Sequence, residues 1–314
     1  MISKDILGEI PILETEDNHG FVRYVDHMGT DSSIVQAARV SYGSGTKQVN
    51  EDEGLIRYLL RHLHTTPFEM CVLKIHVKIP IFVCRQSIRH RTFSVNEYSG
   101  RYSVMSKECY SPNLENIKPQ STTNKQGRSG ELSDLNKFGA KWFIDCANKH
   151  SIECYDLLLG NADIPDERYD LIYDPYQSDD PLFDEDFKNN GIARELARTV
   201  LPVSNYTQLY MCGNLWNWMN FVRLRSDSHA QYEIQEMSNA VRTILDELFP
   251  LAMKAFDDYI YYSERYSRME NKLLTDLLKR KLSLMDLQDG KASILKEYGL
   301  TNRELVEFKQ KIGL

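Results

Sequence analysis

The sequence predicts an α+β protein, because strand-like and helix-like patterns both occur within the same stretch of chain. Residues 71–79, CVLKIHVKI, alternate apolar and polar side chains, as a half-buried strand does. Residues 53–64 carry apolar side chains at helical spacing instead. With 314 residues, the chain is long enough to bury a substantial core.

The first ninety residues are expected to contain two strands and three helices. Asp31 or Ser32 is expected to cap the first helix, since both side chains accept hydrogen bonds from free backbone N–H groups. Pro80 ends the second strand and can occupy the first turn of the helix that follows. The predicted elements are a strand over 21–25, helices over 31–39 and 53–64, a strand over 71–79 and a helix over 81–90.

The rest of the chain is mainly helical in pattern, apart from an acidic segment that contains proline. This segment, about 160–190, is expected to be a solvated insertion. Two capping-box patterns predict a small helical extension over 266–314; they pair Ser267 with Glu270 and Thr301 with Glu304. The predicted helices cover 134–159, 192–200, 206–224 and 230–249, the last continuing past Pro250 toward residue 262.

Composition and charge exclude several classes of protein. A formal net charge of −7 argues against a general nucleic-acid coat, which would be basic. None of the six cysteines forms a CxxC pair, so they are interpreted as reduced thiols of an intracellular protein. The N-terminus has no secretory signal pattern, and no apolar run reaches membrane-spanning length. We therefore expect a cytoplasmic protein that binds neither membrane nor nucleic acid.

No metal site is expected. The carboxylates of the 160–190 insertion match no calcium-loop spacing. His62 and His64 would point apart if they lay two residues apart on a helix.

The most informative stretch is 85–103, RQSIRHRTFSVNEYSGRYS, which contains four arginines. Arginine presents a rigid fork of donors that suits phosphate and carboxylate. Hydroxyl and amide side chains dominate after Arg91, and Gly100 permits close backbone approach. We interpret the stretch as a pocket for a phosphorylated ligand. The alternative from composition alone is a solvated basic helix followed by a polar loop.

Within this stretch, RHRTFSVNEYSGR resembles the signature RHRxxSxNExSxR of the flavin-dependent thymidylate synthases. Three further blocks agree in order: AARVSYGSGT at 37–46, HTTPFEM at 64–70, and ELARTVLPVSNYT with NFVRLRSDSHAQYEI within 195–234. The resemblance covers about 20–110 and 190–262. The fixed positions of the signature are all present: Arg89, His90, Arg91, Ser94, Asn96, Glu97, Ser99 and Arg101.

The resemblance implies the fold of that family, with a mixed sheet and long helices, in a catalytic domain over 1–265. It also implies a homotetramer with active sites shared between subunits. The implied reaction is reductive methylation of dUMP to dTMP. Methylenetetrahydrofolate supplies the carbon, and NADPH reduces a bound FAD that carries the hydride.

Roles for individual residues follow from the same resemblance. Arg225 would be catalytic, lying at the pyrimidine and stabilising the negative charge that develops there. The residues that would bind dUMP are Gln86, Arg89, Glu97, Ser99, Gly100, Arg101, Arg198 and Arg225. Those that would bind the flavin are Ser41, His64, Thr66, Glu69, Arg89, His90, Arg91, Asn96, Glu97, Asn214 and Asn220.

The chain departs from the family pattern at two positions. Met70 stands where the family usually has histidine, and Trp216 where it usually has an arginine associated with the dinucleotide part of the flavin. Tryptophan cannot neutralise a pyrophosphate, but it can stack on an adenine. We expect FAD to be retained, with rearranged binding of its adenosine end.

Two alternatives to this function stay open on sequence grounds. A related enzyme could release another C5-substituted pyrimidine nucleotide, such as 5-hydroxymethyl-dUMP. A non-catalytic protein could instead bind single-stranded nucleic acid, using the arginines with Phe93, Tyr98 and Tyr102 as stacking platforms. The role of His229, in the sequence DSHAQ, is also left open.

Overall fold

The computed structural model describes residues 8–13, 19–40, 52–122, 127–161, 187, 190–288 and 292–314. The chain forms two compact units, Met1–Phe256 and Asp257–Leu314. The secondary structure confirms the α+β class. The division at residue 265, between a catalytic domain and a C-terminal extension, stays a prediction about function.

Five strands and thirteen α-helices are found in the described residues. The strands are β1 (Glu9–Ile12), β2 (Gly20–Met28), β3 (Val72–Pro80), β4 (Ser94–Glu97) and β5 (Tyr206–Asn214). The helices of the first unit are α1 (Asp31–Arg39), α2 (Asp52–Arg61), α3 (Thr66–Glu69), α4 (Ile81–Ser87), α5 (Asp134–Leu158), α6 (Arg194–Ala197), α7 (Leu215–Arg225), α8 (Tyr232–Leu248) and α9 (Pro250–Phe256). The helices of the second unit are α10 (Arg268–Leu278), α11 (Leu284–Gln288), α12 (Ala292–Tyr298) and α13 (Asn302–Lys311).

The strands form one sheet in the order β1-β2-β3-β5-β4. Each of the four pairings between these strands is antiparallel, so the mixed sheet that was expected is wrong. The two central strands, β3 and β5, pair along their whole length, from Val72 opposite Asn214 to Pro80 opposite Tyr206. This long pairing fixes where the elements that follow each strand begin.

Helices cover one face of this sheet. The β3 side chains of Leu73, Ile75, Val77 and Ile79 alternate along the strand and are all buried. The indole Nε1 of Trp218 donates a 3.1 Å hydrogen bond to the Leu73 carbonyl, which ties α7 to the sheet. The apolar side of α8 adds a further buried layer.

The predicted helix over 206–224 is wrong in its first half. Residues Tyr206–Asn214 form β5, and only Leu215–Arg225 are helical. Leu209, Met211 and Gly213 are buried, whereas Tyr210 between them is exposed. This period of two matches a strand, and its pairing with β3 overrides the local helical preference.

Other boundaries differ by a few residues from the predicted ones. The first helix is capped by Thr30, in a capping box with Ser33, rather than by Asp31 or Ser32. The helix after Pro80 ends at Ser87, so Arg89 lies beyond it. The long helix predicted past Pro250 is divided into α8, α9 and a π-helical turn at Asp257–Tyr261. Strands β1 and β4 were not predicted.

The second unit has its own small core. Leu273, Leu287, Tyr298 and Phe308 are among its buried side chains. Both predicted capping boxes are confirmed, at the starts of α10 and α13.

Candidate active site

Arg225, the last residue of α7, is held against the end of α4 by two hydrogen bonds. Its Nε donates to Nε2 of His90 at 2.9 Å, and its Nη2 donates to the carbonyl of Gln86 at 3.1 Å. The Gln86 side chain donates from Nε2 to Oε1 of Gln231 at 2.6 Å. We call these four residues, Gln86, His90, Arg225 and Gln231, the Arg225 cluster.

The bond between Arg225 and His90 requires a neutral imidazole, because Nε2 must accept. The surroundings supply this state: burial, together with the nearby Arg225 charge, lowers the pKa of His90 to about 4. The ring lies edge-on to Phe221, with centroids 4.9 Å apart, which fixes its plane. Partial burial also lowers the pKa of Arg225, although a guanidinium remains charged at neutral pH.

Gln86, Arg225 and Gln231 of the Arg225 cluster line one side of an open pocket of about 450 Å³. His229 lies on its wall, where the Asp227 carboxylate accepts from Nδ1 and from the backbone N–H of His229, at 2.9 and 2.8 Å. Sequence reasoning missed Asp227 and Gln231; the signal was a short polar run between two helices. The lining residues are Gln86, Arg223, Leu224, Arg225, Asp227, His229, Ala230 and Gln231.

The signature motif continues into the edge strand β4, whose four side chains are exposed. Asn96 and Glu97 pair with Tyr210 and Leu209 of β5. The Glu97 carboxylate accepts a 2.9 Å hydrogen bond from Oγ1 of Thr207, which orients it. Asn96 and Glu97 therefore stand on a fixed edge of the sheet.

The end of the signature forms a second group of predicted residues. The Ser99 hydroxyl accepts from the backbone N–H of Arg101 at 3.3 Å. Arg101 Nε lies 3.5 Å from the Glu195 carboxylate, a partner that sequence reasoning missed. A Cβ on Gly100 would come within 3.2 Å of Cδ of Arg198, so glycine lets the arginine stem pack on the turn. We call Ser99, Gly100, Arg101 and Arg198 the Ser99 cluster.

The predicted nucleotide-binding residues form two groups by their direct contacts. Among the described residues, no hydrogen bond or ion pair links Gln86, His90 or Arg225 with a member of the Ser99 cluster.

A third group of predicted residues lies where α3 meets the start of α7. The Leu215 N–H donates to the Cys71 carbonyl at 2.8 Å, and this bond joins the two elements. His64, before α3, and Thr66, its first residue, are both exposed. The Glu69 carboxylate accepts from Oγ1 of Thr65 at 2.9 Å.

Two of the three amides predicted for the flavin, Asn214 and Asn220, lie at the cap and within α7. Asn214 caps this helix by accepting from the Asn217 N–H at 2.9 Å. Asn220 accepts from Nη2 of Arg223 at 2.9 Å. Met70 and Trp216, the two departures, are the residues next to Cys71 and Leu215, so the backbone bond brings both departures to the same corner.

The remaining predicted arginines point into solvent. Arg85, Arg89, Arg91 and Arg198 are exposed, and none has an ion-pair partner within the described part of the chain. Their charge is therefore available to an anionic ligand. Ser41, the other predicted flavin residue, lies outside the described residues.

Comparison with known proteins agrees with this arrangement. The family model described as thymidylate synthase complementing protein matches residues 23–251. A flavin-dependent thymidylate synthase of Wolbachia pipientis is 45% identical over 280 residues, which are 88% of each chain. The enzyme of the same name from Rickettsia bellii is 44% identical over 292 residues, 92% of this chain and 90% of that one.

A solved structure is also similar. The UMP/dUMP methylase PolB from Streptomyces cacaoi, bound with 5-Br UMP, superposes with a TM-score of 0.60 at 29% identity, covering 76% of this chain and 94% of that one. The residues that the family model matches contain both clusters described above. The chain therefore belongs to the flavin-dependent thymidylate synthase family.

Proposed function

We propose that the protein catalyses reductive methylation of dUMP to dTMP, with methylenetetrahydrofolate as carbon donor and NADPH as reductant of a bound FAD. The observation that carries the proposal is the Arg225 guanidinium, fixed at the wall of an open pocket by His90 and the Gln86 carbonyl. Family membership gives the reaction class, and this geometry gives a place for it in the chain.

Arg225 supplies fixed positive charge where the pyrimidine would lie. Transfer of an electrophilic carbon to C5 requires the uracil ring to act as the nucleophile, which negative charge on its carbonyl oxygens and N3 promotes. A guanidinium held in advance stabilises this charge without reorganising at the moment of reaction. Neutral His90 contributes by accepting at Nε2 from Nε of Arg225, a bond that does not use Nη1 of the guanidinium.

The phosphate of dUMP would bind the Ser99 cluster. Arg101 and Arg198 supply two guanidinium groups, and the turn at Gly100 brings backbone close to the ligand. Glu195 holds Arg101 in the absence of ligand, and both side chains are exposed, so a phosphate can displace it at low cost.

The residues assigned to the flavin fit such a group chemically. An isoalloxazine edge needs amide and hydroxyl partners, and Thr66, Asn96 and Asn220 supply them. A diphosphate needs cations, and Arg89 and Arg91 are exposed and unpaired within the described residues. The flavin, when bound, would carry hydride to the nucleotide. The protein residues would orient the ring of the flavin against the pocket.

We expect a homotetramer with shared sites, as the family resemblance implies. Sharing between subunits would bring the Arg225 cluster of one copy to the Ser99 cluster of another. In the described part of the chain, no helix is long and apolar enough to cross a membrane. The cytoplasmic location stays a prediction.

The test is mass spectrometry of the nucleotide product. Purified protein is incubated anaerobically with dUMP, methylenetetrahydrofolate, FAD and NADPH, and a parallel reaction contains UMP. We expect dTMP from dUMP, and loss of the product when any one component is left out. A 5-hydroxymethylated product would contradict the methylation. Methylation of UMP at an equal rate would contradict the choice of deoxynucleotide and would match the two substrates in the name of PolB.

A further inference from the structure

The N-terminal half of α5 carries a large exposed apolar surface. Leu135 is 81% exposed, Phe138 59%, Trp142 60% and Phe143 69%. Contiguous exposed apolar surface of this kind is uncommon on a monomer and marks an interaction site. These residues follow helical spacing and share one side of α5 with Gly139 and Cys146. We call the six residues Leu135, Phe138, Gly139, Trp142, Phe143 and Cys146 the α5 stripe.

Gly139 lies in the middle of the α5 stripe and has no role inside the chain. Apart from the backbone of its own helix, no described atom lies within 4 Å of the point where its Cβ would be. Glycine within a helix costs about 1 kcal/mol relative to alanine. A glycine on an exposed apolar face does, however, create a gap that accepts a large side chain from a second helix.

We propose that the α5 stripe is a docking surface for a second copy of this chain, with the two α5 helices antiparallel and Trp142 of each seated on Gly139 of the partner subunit. A two-fold interface requires a patch that is complementary to itself. On α5, the largest side chain and the gap lie three residues apart on the same face. Antiparallel pairing therefore brings each Trp142 to a Gly139 in one register.

The same register defines the neighbouring contacts. In an antiparallel pair, residues that face each other lie at equal distances on either side of one central point of the helix. Trp142 with Gly139 and Leu135 with Cys146 share this central point. If Trp142 faces Gly139 of the partner subunit, Leu135 therefore faces Cys146 of the partner subunit. Phe138 and Phe143 lie on the two flanks of this line, where they would cover the seam. Each contact along the centre of the interface then joins a large apolar side chain to a small one.

Charges at the two ends of α5 favour the antiparallel direction. Asp134 stands at the start of the helix, where Glu131 is already paired with Lys137 at 2.8 Å, whereas Lys149 and His150 stand beyond the stripe, and all of these acidic and basic residues except Lys137 are exposed. In an antiparallel pair, the acidic end of one helix lies beside the basic end of the other. The helix dipoles also oppose each other in this direction. These charges disfavour the parallel arrangement and make a copy of this chain the fitting partner.

Cysteine cross-linking tests the register. Leu135→Cys places a thiol opposite the natural Cys146 of the partner subunit. All six cysteines are free, and Cys146 is exposed. We expect the variant to form covalent dimers with bis-maleimidoethane, at least tenfold more than the wild-type chain. The dimer should disappear in the double variant Leu135→Cys/Cys146→Ser.

A matched control separates the specific contact from random collision. Asn136→Cys is equally exposed and lies on the next residue, but it points away from the centre of the stripe. Cross-linking of Asn136→Cys as efficient as that of Leu135→Cys would overturn the proposal. No cross-linking of Leu135→Cys at protein concentrations where the chain is oligomeric would also overturn it.

Trp142→Glu provides a second measurement, by analytical ultracentrifugation. We expect the dissociation constant of one dimer contact to rise at least tenfold, and the thermal midpoint at high dilution to stay the same, because Trp142 makes its proposed contact outside the chain. Unchanged assembly in this variant would overturn the proposal. The inference does not rest on the proposed reaction, since both readouts are measured without substrates.

Discussion

Arg225 is held at two of its three nitrogens before any ligand binds, by His90 and by the carbonyl of Gln86. This geometry depends on a planar fork, which lysine lacks. We therefore expect Arg225→Lys to lower kcat/KM for dUMP by about 10²–10³-fold, in the range seen when one preorganised charge-stabilising donor is lost. Initial-rate measurements over a range of dUMP concentrations check this.

The control for this substitution is Arg303→Lys on the second unit. Arg303 is highly exposed and pairs with Glu307 four residues along α13. Arg303→Lys therefore removes a guanidinium outside the proposed active site, from a surface ion pair that contributes little to stability. Its kcat/KM should match that of the wild type. A comparable loss in both variants would show that the assay reports folding rather than the pocket.

His90 makes the stability of the chain depend on pH in a defined direction. Its pKa falls from 6.5 to about 4 on folding, because it is buried beside Arg225. Between these values the unfolded chain binds more protons than the folded one, so stability is lost as pH falls from 6.5 to 4. Above pH 6.5, the His90 side chain is neutral in both the folded and the unfolded chain, so it no longer lowers stability.

His90→Gln tests this dependence, because glutamine keeps a hydrogen-bond acceptor and does not titrate. We expect the variant to lose less unfolding free energy than the wild type between pH 6.5 and pH 4.5, as measured by urea titration at each pH. Equal slopes of free energy against pH in the two proteins would contradict the assignment of the lowered pKa to His90.

At the scale of elements, one carboxylate joins two helices that are far apart in sequence. Asp31, in the first turn of α1, accepts from the backbone N–H groups of Leu251 and Ala252 at 2.9 and 3.0 Å. It thereby caps α9, where Pro250 leaves no side-chain cap of its own. Desolvation by burial raises the pKa of Asp31.

We expect Asp31→Ala to lower the free energy of unfolding by about 1–2 kcal/mol, since a helix cap is lost and two N–H groups lose their partner. Urea unfolding at pH 7 measures it. Asp26→Ala is the matched control, because Asp26 is exposed, accepts a hydrogen bond from the N–H of its neighbour His27 rather than from a distant helix, and makes only a weak 3.9 Å contact with Lys74. Equal losses in the two variants would contradict the capping role.

At Gly213, the sheet packs tightly against Phe93 of the signature motif. A Cβ on Gly213 of β5 would lie 2.3 Å from Cδ1 of Phe93, whose ring contacts Trp218 at a centroid distance of 4.2 Å. We expect Gly213→Ala to cost about 1–3 kcal/mol by overpacking. Thermal and urea unfolding measure the loss.

Gly54→Ala is the control for this substitution, because Gly54 lies in α2 with no described atom near its added Cβ. Alanine is the better helix former, so this variant should gain about 0.5–1 kcal/mol. Loss of stability at Gly54 of the same size as at Gly213 would mean that packing at Phe93 is not the cause.

Local patterns in the sequence predicted most helices but not the central strand β5. Capping boxes at Ser267 and Thr301 are local interactions, and both were found where they were expected. Residues 206–214 also tolerate a helical interpretation, because apolar side chains are frequent in them. Only the pairing with β3, more than a hundred residues away in the chain, decides for the strand.

At the scale of the whole molecule, the motif gave the identity of the predicted site residues but not their distribution. The signature runs through a helix end, an edge strand and a turn, so its residues belong to different clusters. The link between His90 and Arg225 spans 135 positions, and spacing in the sequence contains no information about it. The contact between Gln86 and Gln231 spans 145 positions and was missed for the same reason.

The predicted sharing of sites between subunits leads to a prediction about assembly. Arg225→Ala removes the Arg225 cluster from a site, and Arg101→Ala removes an arginine of the Ser99 cluster. If each site takes the two clusters from different subunits, mixed oligomers contain some sites in which both are intact. Random mixing of equal amounts gives about one quarter of such sites, by the combinatorics of a symmetric assembly.

We therefore expect each variant alone to be nearly inactive, and co-expression of the two, with different affinity tags and tandem purification, to restore about one quarter of wild-type activity. Co-expression of Arg225→Ala with a second, differently tagged Arg225→Ala chain is the control and should stay inactive, because no intact Arg225 cluster is present. No recovery in mixed oligomers would mean that each chain completes its own site, so the two clusters would have to close on one another within one subunit when dUMP binds.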